Sequence, residues 1–298
     1  MNYLSVSQIA KKWNMSERSI RNYCAKGKID GTFLTGKTWN IPRDAKKPNR
    51  INKKILKPEN LLNILRAEKK NKIAGGIYHK VQINLTFNSN HIEGSKLTLE
   101  QTRYIFETNT IGINNKSLNV DDIVETVNHF KCIDMIIESA KKTISEKFIK
   151  ELYKTLKNGT SVSRLDWFKV GDYKKLPNEV GGKETAKPET VSKKMKELLN
   201  WYNSLSLVSF DDILNFHYRF EIIHPFQDGN GRIGRLIMFK ECLKNDIVPF
   251  IIDDNLKLFY YRGLNEWKNE RGYLRDTCLT GQDKFKKWLD YFKINYKK

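Results

Sequence analysis

Twelve consecutive residues, His224-Pro225-Phe226-Gln227-Asp228-Gly229-Asn230-Gly231-Arg232-Ile233-Gly234-Arg235, constrain the centre of this chain. They join two apolar-patterned runs, residues 211–223 and 233–243, that both read as helices. A His-Pro pair marks a helix end, and Gly229 and Gly231 let the backbone turn tightly before the second helix begins. The segment is therefore a helix, a short loop and a helix, and the loop presents free amides at a helix N-terminus, a natural phosphate cradle.

The side chains in the loop have separate chemistries. His224 is a candidate general base, because an unperturbed imidazole titrates near neutral pH. Asp228 offers hard carboxylate oxygens, which suit Mg²⁺ bridging phosphates better than a transition metal. Arg232 and Arg235 are three apart, so on a helix both guanidinium groups face one side and can hold successive phosphates. One loop thus combines an acceptor, a metal ligand and an anion clamp, the equipment to handle a nucleoside triphosphate.

In this order the residues resemble the signature of the Fic family, His-x-Phe-x-(Asp/Glu)-Gly-Asn-Gly-(Arg/Lys)-x-x-Arg, at every defined position. The resemblance implies an all-helical domain and an enzyme, a protein adenylyltransferase that uses ATP and Mg²⁺ to place AMP on a Ser, Thr or Tyr hydroxyl of a protein substrate. It implies that His224 deprotonates the target and that Asp228 ligates Mg²⁺. Gly229, Asn230, Gly231 and Arg232 would hold the α- and β-phosphates, Arg235 the γ-phosphate, and Phe226 would anchor the loop in the core. The similar Doc branch has Lys at the second glycine and uses ATP as a phosphate donor, so Gly231 and the intact Arg235 point to AMP transfer.

Upstream, Ser89-Asn90-His91-Ile92-Glu93-Gly94 is similar to the (Ser/Thr)-x-x-x-Glu-(Gly/Asn) inhibitory motif of many Fic proteins. Residues 77–90 read as a loosely periodic helix, Gly94 as its C′ residue, and Glu93 as part of its last turn with Ser89 one turn earlier. By resemblance Glu93 pairs with Arg235 and occupies the guanidinium that the γ-phosphate needs. The same glutamate removes AMP in some relatives, so de-AMPylation stays open as a second activity.

Between these motifs, Gly171-Asp172-Tyr173-Lys174 resembles the stretch that runs into the β-hairpin flap of Fic domains. Pro177, Gly181, Gly182 and Pro188 suit a hairpin over residues 175–187 rather than a helix. Asn178, Glu179, Val180, Gly181 and Gly182 are the expected target-docking residues, by strand addition to an extended segment. After the signature, Tyr260-Tyr261-Arg262-Gly263-Leu264-Asn265 resembles the helix bordering the nucleotide pocket, which makes Tyr260 and Tyr261 candidate nucleotide contacts. His217 reads as a packed histidine for want of a third ligand.

The charge of the chain is unevenly spread. Its 54 Lys and Arg against 34 Asp and Glu give a net +20, and residues 1–58 alone hold 14 basic and 3 acidic residues. Such asymmetry points to a polyanion partner for the N-terminus. Val6, Ile9, Ala10 and Trp13 form an amphipathic stretch, Asn14-Met15 a turn, and residues 17–25 a second helix with a Ser16 cap. Arg18, Arg21 and Asn22 point outward on that helix, suited to phosphates and base edges. Residues 31–42, with Lys37 at the tip, read as a β-wing. The whole resembles the winged helix-turn-helix of MerR-like and excisionase-like DNA-binding domains. That resemblance implies DNA as a partner and, since such domains pair on two-fold sites, leaves a homodimer open.

The expected organisation is a small winged helix-turn-helix at 1–45, a basic, proline-broken linker at 46–58 and a mainly α Fic domain with its flap at 59–298. Helices are expected over residues 61–72, 99–108, 120–142, 146–157, 191–204 and 285–296. Four cysteines without a Cys-x-x-Cys pair argue against structural zinc and a disulfide framework. No signal peptide or long apolar run is evident, which makes a cytoplasmic protein without membrane contact the simplest reading. The alternative to an autoinhibited enzyme is a DNA-binding transcription regulator whose Fic domain senses nucleotide or is degenerate. Retention of His224, which a binding module would not need, favours the enzyme.

Overall fold

A computed structural model describes residues 3–48, 60–112 and 117–296. The chain divides into two compact units, Met1–Leu56 and Lys57–Lys298. Most of the linker expected at 46–58 lies outside the described residues.

The first unit contains β1 (Tyr3–Leu4), α1 (Val6–Trp13), α2 (Glu17–Ala25), β2 (Phe33–Thr35) and β3 (Thr38–Pro42). Ser5 opens α1 with a capping box, its hydroxyl accepting from the Gln8 amide while Gln8 Oε1 accepts from the Ser5 amide. Asn14 closes α1 in the left-handed region at φ 52°, and Ser16 caps α2 by accepting from the Ser19 amide. The strands form one antiparallel sheet in the order β1-β3-β2. Strand β1 escaped the sequence reading because two residues carry no period. Val6, Ile9, Trp13, Ile20, Cys24 and Ile41 make this unit's own core. Arg18, Arg21, Asn22 and Lys37 are all exposed.

Among the described residues the second unit has ten helices and one hairpin. The helices are α3 (Leu61–Asn71), α4 (Ile77–Ile92), α5 (Leu99–Thr108), α6 (Val120–Glu138), α7 (Glu146–Lys157), α8 (Pro188–Asn203), α9 (Phe210–Ile223), α10 (Asn230–Lys244), α11 (Lys257–Glu266) and α12 (Gly272–Tyr291). The hairpin pairs β4 (Glu179–Val180) with β5 (Lys183–Glu184). Helix α10 is buried along nearly its whole length and packs on α4, α6, α7 and α9. Leu85, Ile133, Leu156, Phe220, Phe226 and Leu236 are among the residues of the main core around it.

Two helices differ from expectation for physical reasons. Helix α6 ends at Glu138 rather than 142: Ser139 is its C-cap, and the next amides close three-residue turns, Ala140 to the Ile137 carbonyl and Lys142 to the Ser139 carbonyl. Helix α12 runs from Gly272 to Tyr291, well before the expected 285–296. Its first half buries Leu274, Cys278 and Gly281 rather than a run of large apolar residues. The glycines are what allow the close approach: a Cβ on Gly263 of α11 would stand 2.5 Å from the Leu274 Cα. A stripe made of glycine and cysteine gives little hydrophobic period.

Candidate active site at the α9–α10 loop

Helix α9 ends in His224, a C-cap in the left-handed region at φ 48°, with its amide donating to the Phe220 carbonyl at 2.9 Å. A non-glycine residue there is uncommon and mildly strained, and it turns the chain sharply out of the helix. Phe226 then drives the loop inward. It is fully buried and stacks on Tyr153 with ring centroids 3.9 Å apart. Asn230 closes the loop across its width: its Oδ1 accepts from the Phe226 amide and its Nδ2 donates to the Phe226 carbonyl, both at 2.8 Å. With its side chain so committed, Asn230 has chiefly its backbone to offer a phosphate. Gly229, at φ 77°, caps α10 with no side chain on the first amides, which leaves them directed at the loop.

Helix α4 delivers its last turn to the same place. Glu93 is its C-cap and Gly94 follows at φ 99°. Arg235 Nη2 donates to Glu93 Oε1 at 2.6 Å and to the Ser89 carbonyl at 2.9 Å, and its Nε donates to Ser89 Oγ at 3.1 Å. Gly231 makes the pairing sterically feasible, since a Cβ there would lie 2.4 Å from Glu93 Oε1 and 2.8 Å from Arg235 Nη1. Burial opposes charge on Glu93, but Arg235 and then Arg232 outweigh it and hold the carboxyl below its usual range.

Arg232 and Lys157 are both nearly inaccessible, and both bond to the carboxylate of Glu125 on α6. Asp228, with a half-exposed side chain, accepts from Lys157 at 2.6 Å and lies 3.5 Å from Arg232. Sequence reasoning missed Glu125 and Lys157. Each is an ordinary charged residue on an amphipathic helix, and only the meeting of α6, α7 and α10 gives them a site. Among the described residues no group of three or more His, Cys, Asp or Glu gathers to hold a metal by itself.

The hairpin is fastened to the loop at its base. The Lys174 amide donates to the Pro225 carbonyl at 2.9 Å, and Asn178 Nδ2 to the Phe226 carbonyl at 3.0 Å. The two-residue turn Gly181-Gly182, both at positive φ, leaves Glu179, Val180 and the tip exposed beside it. Tyr260 is buried and shares a 2.6 Å hydrogen bond with His217, so it faces the interior. Tyr261 is partly exposed and donates to the Ile92 carbonyl at 3.3 Å.

Burial first, then the Lys174 ammonium, pushes His224 down to about 4, so its imidazole is neutral near pH 7. His129 and His217 are pushed down to about 3, in both cases mainly by burial. The unfolded chain protonates these three near 6.5 and the native state does not, so acidification from about 6.5 to 4 favours unfolding. Glu221 acts in the opposite sense. Burial pushes it up to about 8, so the native state holds a proton that the unfolded chain releases near 4.5, and stability falls as pH rises through that window. Three imidazoles outweigh one carboxyl below pH 6.5. Thermal melts between about pH 4 and 8 should therefore peak near pH 6.5, and a peak near pH 5 would contradict this balance.

Residues 143–242, which hold α7, α8, α9, this loop and most of α10, match the model of the Fic/DOC family. The protein adenylyltransferase Fic of Drosophila mojavensis is 30% identical over 209 residues, covering 67% of this chain and 38% of that protein. The chain thus spans well under half the length of this relative. Among solved structures, a Fic domain containing signaling protein from Bacteroides thetaiotaomicron superimposes with a TM-score of 0.61, covering 80% of this chain and 98% of that one at 24% identity. Residues 134–508 of Fic-1 from Caenorhabditis elegans also reach 0.61, over 78% and 71% of the two chains at 21% identity. These likenesses establish the fold of the second unit. Among the described residues no helix is long and apolar enough to cross a membrane.

Proposed function

We propose that this chain is a protein adenylyltransferase held inactive by its own Glu93. The observation that carries the reading is the Glu93–Arg235 pair at 2.6 Å, seated over Gly231 in the first turn of α10, at the far end of the loop that begins after His224. The name of the Drosophila relative, protein adenylyltransferase, supports the same reaction. In it, a hydroxyl oxygen of a protein substrate attacks the α-phosphorus of ATP. His224 takes the hydroxyl proton, the bond from the α-phosphorus to the bridging oxygen breaks, and pyrophosphate leaves. The open amides of α10 and the Arg232 guanidinium hold the α- and β-phosphates, and Arg235 holds the γ-phosphate once Glu93 withdraws.

Asp228 fits a magnesium ion carried by the nucleotide. Its carboxylate is half exposed beside the cradle, and Mg²⁺ is typically bound through one or two carboxylates plus substrate phosphates and water. The ion would supply charge neutralisation on the phosphates. Lys157, now on that carboxylate, would give up its place there and keep Glu125.

The exposed edge of the β4–β5 hairpin, with Asn178, Glu179, Val180, Gly181 and Gly182, suits an extended segment of the target, aligned by main-chain hydrogen bonds. Whether Glu93 also positions a water for AMP removal is a second activity of the same geometry. Mass spectrometry of Glu93→Gly protein incubated with ATP and Mg²⁺ tests the main reading. A mass gain of one AMP, on the protein or on a co-purified partner, is expected, and its absence at every target would reject it.

For the N-terminal unit we infer a DNA-binding role in which the exposed Arg18, Arg21 and Asn22 of α2 and Lys37 at the β2–β3 turn meet the duplex. The excess of basic residues before position 58 supports this. Band shifts with genomic DNA fragments should weaken steeply with salt and vanish on deleting residues 1–50; shifts that survive the deletion would overturn the assignment.

A further inference from the structure

Glu221 lies one turn before His224 on α9, outside the signature, with a side chain only 13% exposed. Its Oε2 stands 3.7 Å from His224 Nδ1, and its Oε1 stands 3.9 Å from His217 Nδ1. Both imidazole Nδ1 atoms and Glu221 Oε1 are buried without a well-formed hydrogen bond, the Glu221 backbone being the other group in reach of the His224 ring. Unpaired buried polar atoms are costly, and two imidazole nitrogens converging on one carboxyl are not explained by packing. Helix α10 is shaped to admit the cluster, because a Cβ on Gly234 would fall 2.6 Å from His217 Nδ1 and 2.9 Å from Glu221 Oε1. Tyr260 holds His217 by the other ring nitrogen, which keeps Nδ1 on the Glu221 side.

We propose that Glu221 is a positioning residue for His224: its carboxylate accepts the Nδ1 proton and so leaves the Nε2 lone pair free for the target hydroxyl. The inference rests on His224 acting as the base of AMP transfer. Which ring nitrogen of a histidine carries the proton is set by the partner of the other nitrogen. A separation of 3.7 Å is a small side-chain adjustment from a hydrogen bond, and such contacts tighten in the reacting complex. The titratable and charged groups around the pair are the neutral His217 on α9, Arg235 on α10, Glu93 on α4, Asp228 in the loop and Lys174 before the hairpin. Burial keeps a proton on Glu221, Arg235 opposes this, and Glu93 reinforces it, so withdrawal of Glu93 favours the carboxylate that the role requires.

The test places Glu221→Gln and Glu221→Asp in the Glu93→Gly background. AMP incorporation is followed over a range of pH, and ¹⁵N spectra of the His224 imidazole are recorded without nucleotide, assigned with His224→Ala. In Glu221→Gln the kcat should fall about a hundredfold with the KM for ATP unchanged, as expected for a misdirected tautomer. The share of His224 carrying its proton on Nδ1 should drop, and the acid limb of the pH profile should move. Glu221→Asp should retain part of both, which keeps the test open should the Gln variant fold poorly. An unchanged imidazole spectrum in both variants, or a loss carried by KM alone, would overturn the proposal. If Glu93→Gly itself transfers no AMP, the reaction reading fails, while the imidazole spectra still decide whether Glu221 positions His224.

Discussion

Glu93→Gly should raise incorporation of label from α-labelled ATP by roughly ten- to a hundredfold, and His224→Ala in the same background should return it to the blank. The size follows from what is removed. Arg235 is buried and gives Glu93 a charge-assisted bond of 2.6 Å, and a bond to a charged group contributes about 1.5–3 kcal/mol net. At 1.4 kcal/mol per tenfold, that is the preference ATP must overcome to reach Arg235. Ser89 remains on the guanidinium in the variant, so Arg235 keeps its orientation while losing its counter-ion. The readout is the initial rate at fixed ATP, and equal rates with and without Glu93 would remove the basis for a locked state.

Glu125→Ala should unfold at markedly lower urea than the parent, with a loss of about 3–5 kcal/mol, the usual result of stripping one partner from a buried ion pair. Two cations depend on this carboxylate. Lys157 is 2% exposed and Arg232 is 4% exposed, and among the described residues the other acid within ion-pair distance of either is Asp228, which is half exposed and shared. Removing Glu125 therefore leaves two positive charges facing each other in a place with little water. Glu125→Gln should be milder, because the amide oxygen still accepts from one of them. A loss below about 1 kcal/mol in Glu125→Ala would mean that Asp228 and solvent compensate, which the burial of Lys157 argues against.

The site was legible where unusual residue types had to fall in a fixed order. His-Pro, Asp-Gly-Asn-Gly and paired arginines announce a loop between helices, and the observed C-cap at His224 and N-cap at Gly229 sit within that segment. What stayed hidden depends on distant parts of the chain meeting. Glu125, Lys157 and Glu221 look like solvated helix charges until α6, α7, α9 and α10 pack together. Helix α4 read as only loosely periodic because it buries Gln82, Thr86, Ser89 and Asn90 as well as its apolar residues, so no polar face marks its outside. Asn230 was expected against a phosphate, yet its side chain ties the loop to Phe226, a use that residue type alone does not disclose.

That tie has a consequence for how a ligand would be received. With Asn230 bonded to both polar groups of the Phe226 backbone and the Phe226 ring stacked on Tyr153, the loop is already in one shape before anything arrives. Little ordering entropy remains to be lost there on association, which is the meaning of preorganisation. On the function proposed above, the part that has to move is instead the Glu93 carboxylate at the end of the last turn of α4. Regulation would then be a shift of population at Glu93 rather than an induced fit of the loop, and any partner that biases that one turn would set how often the site is open.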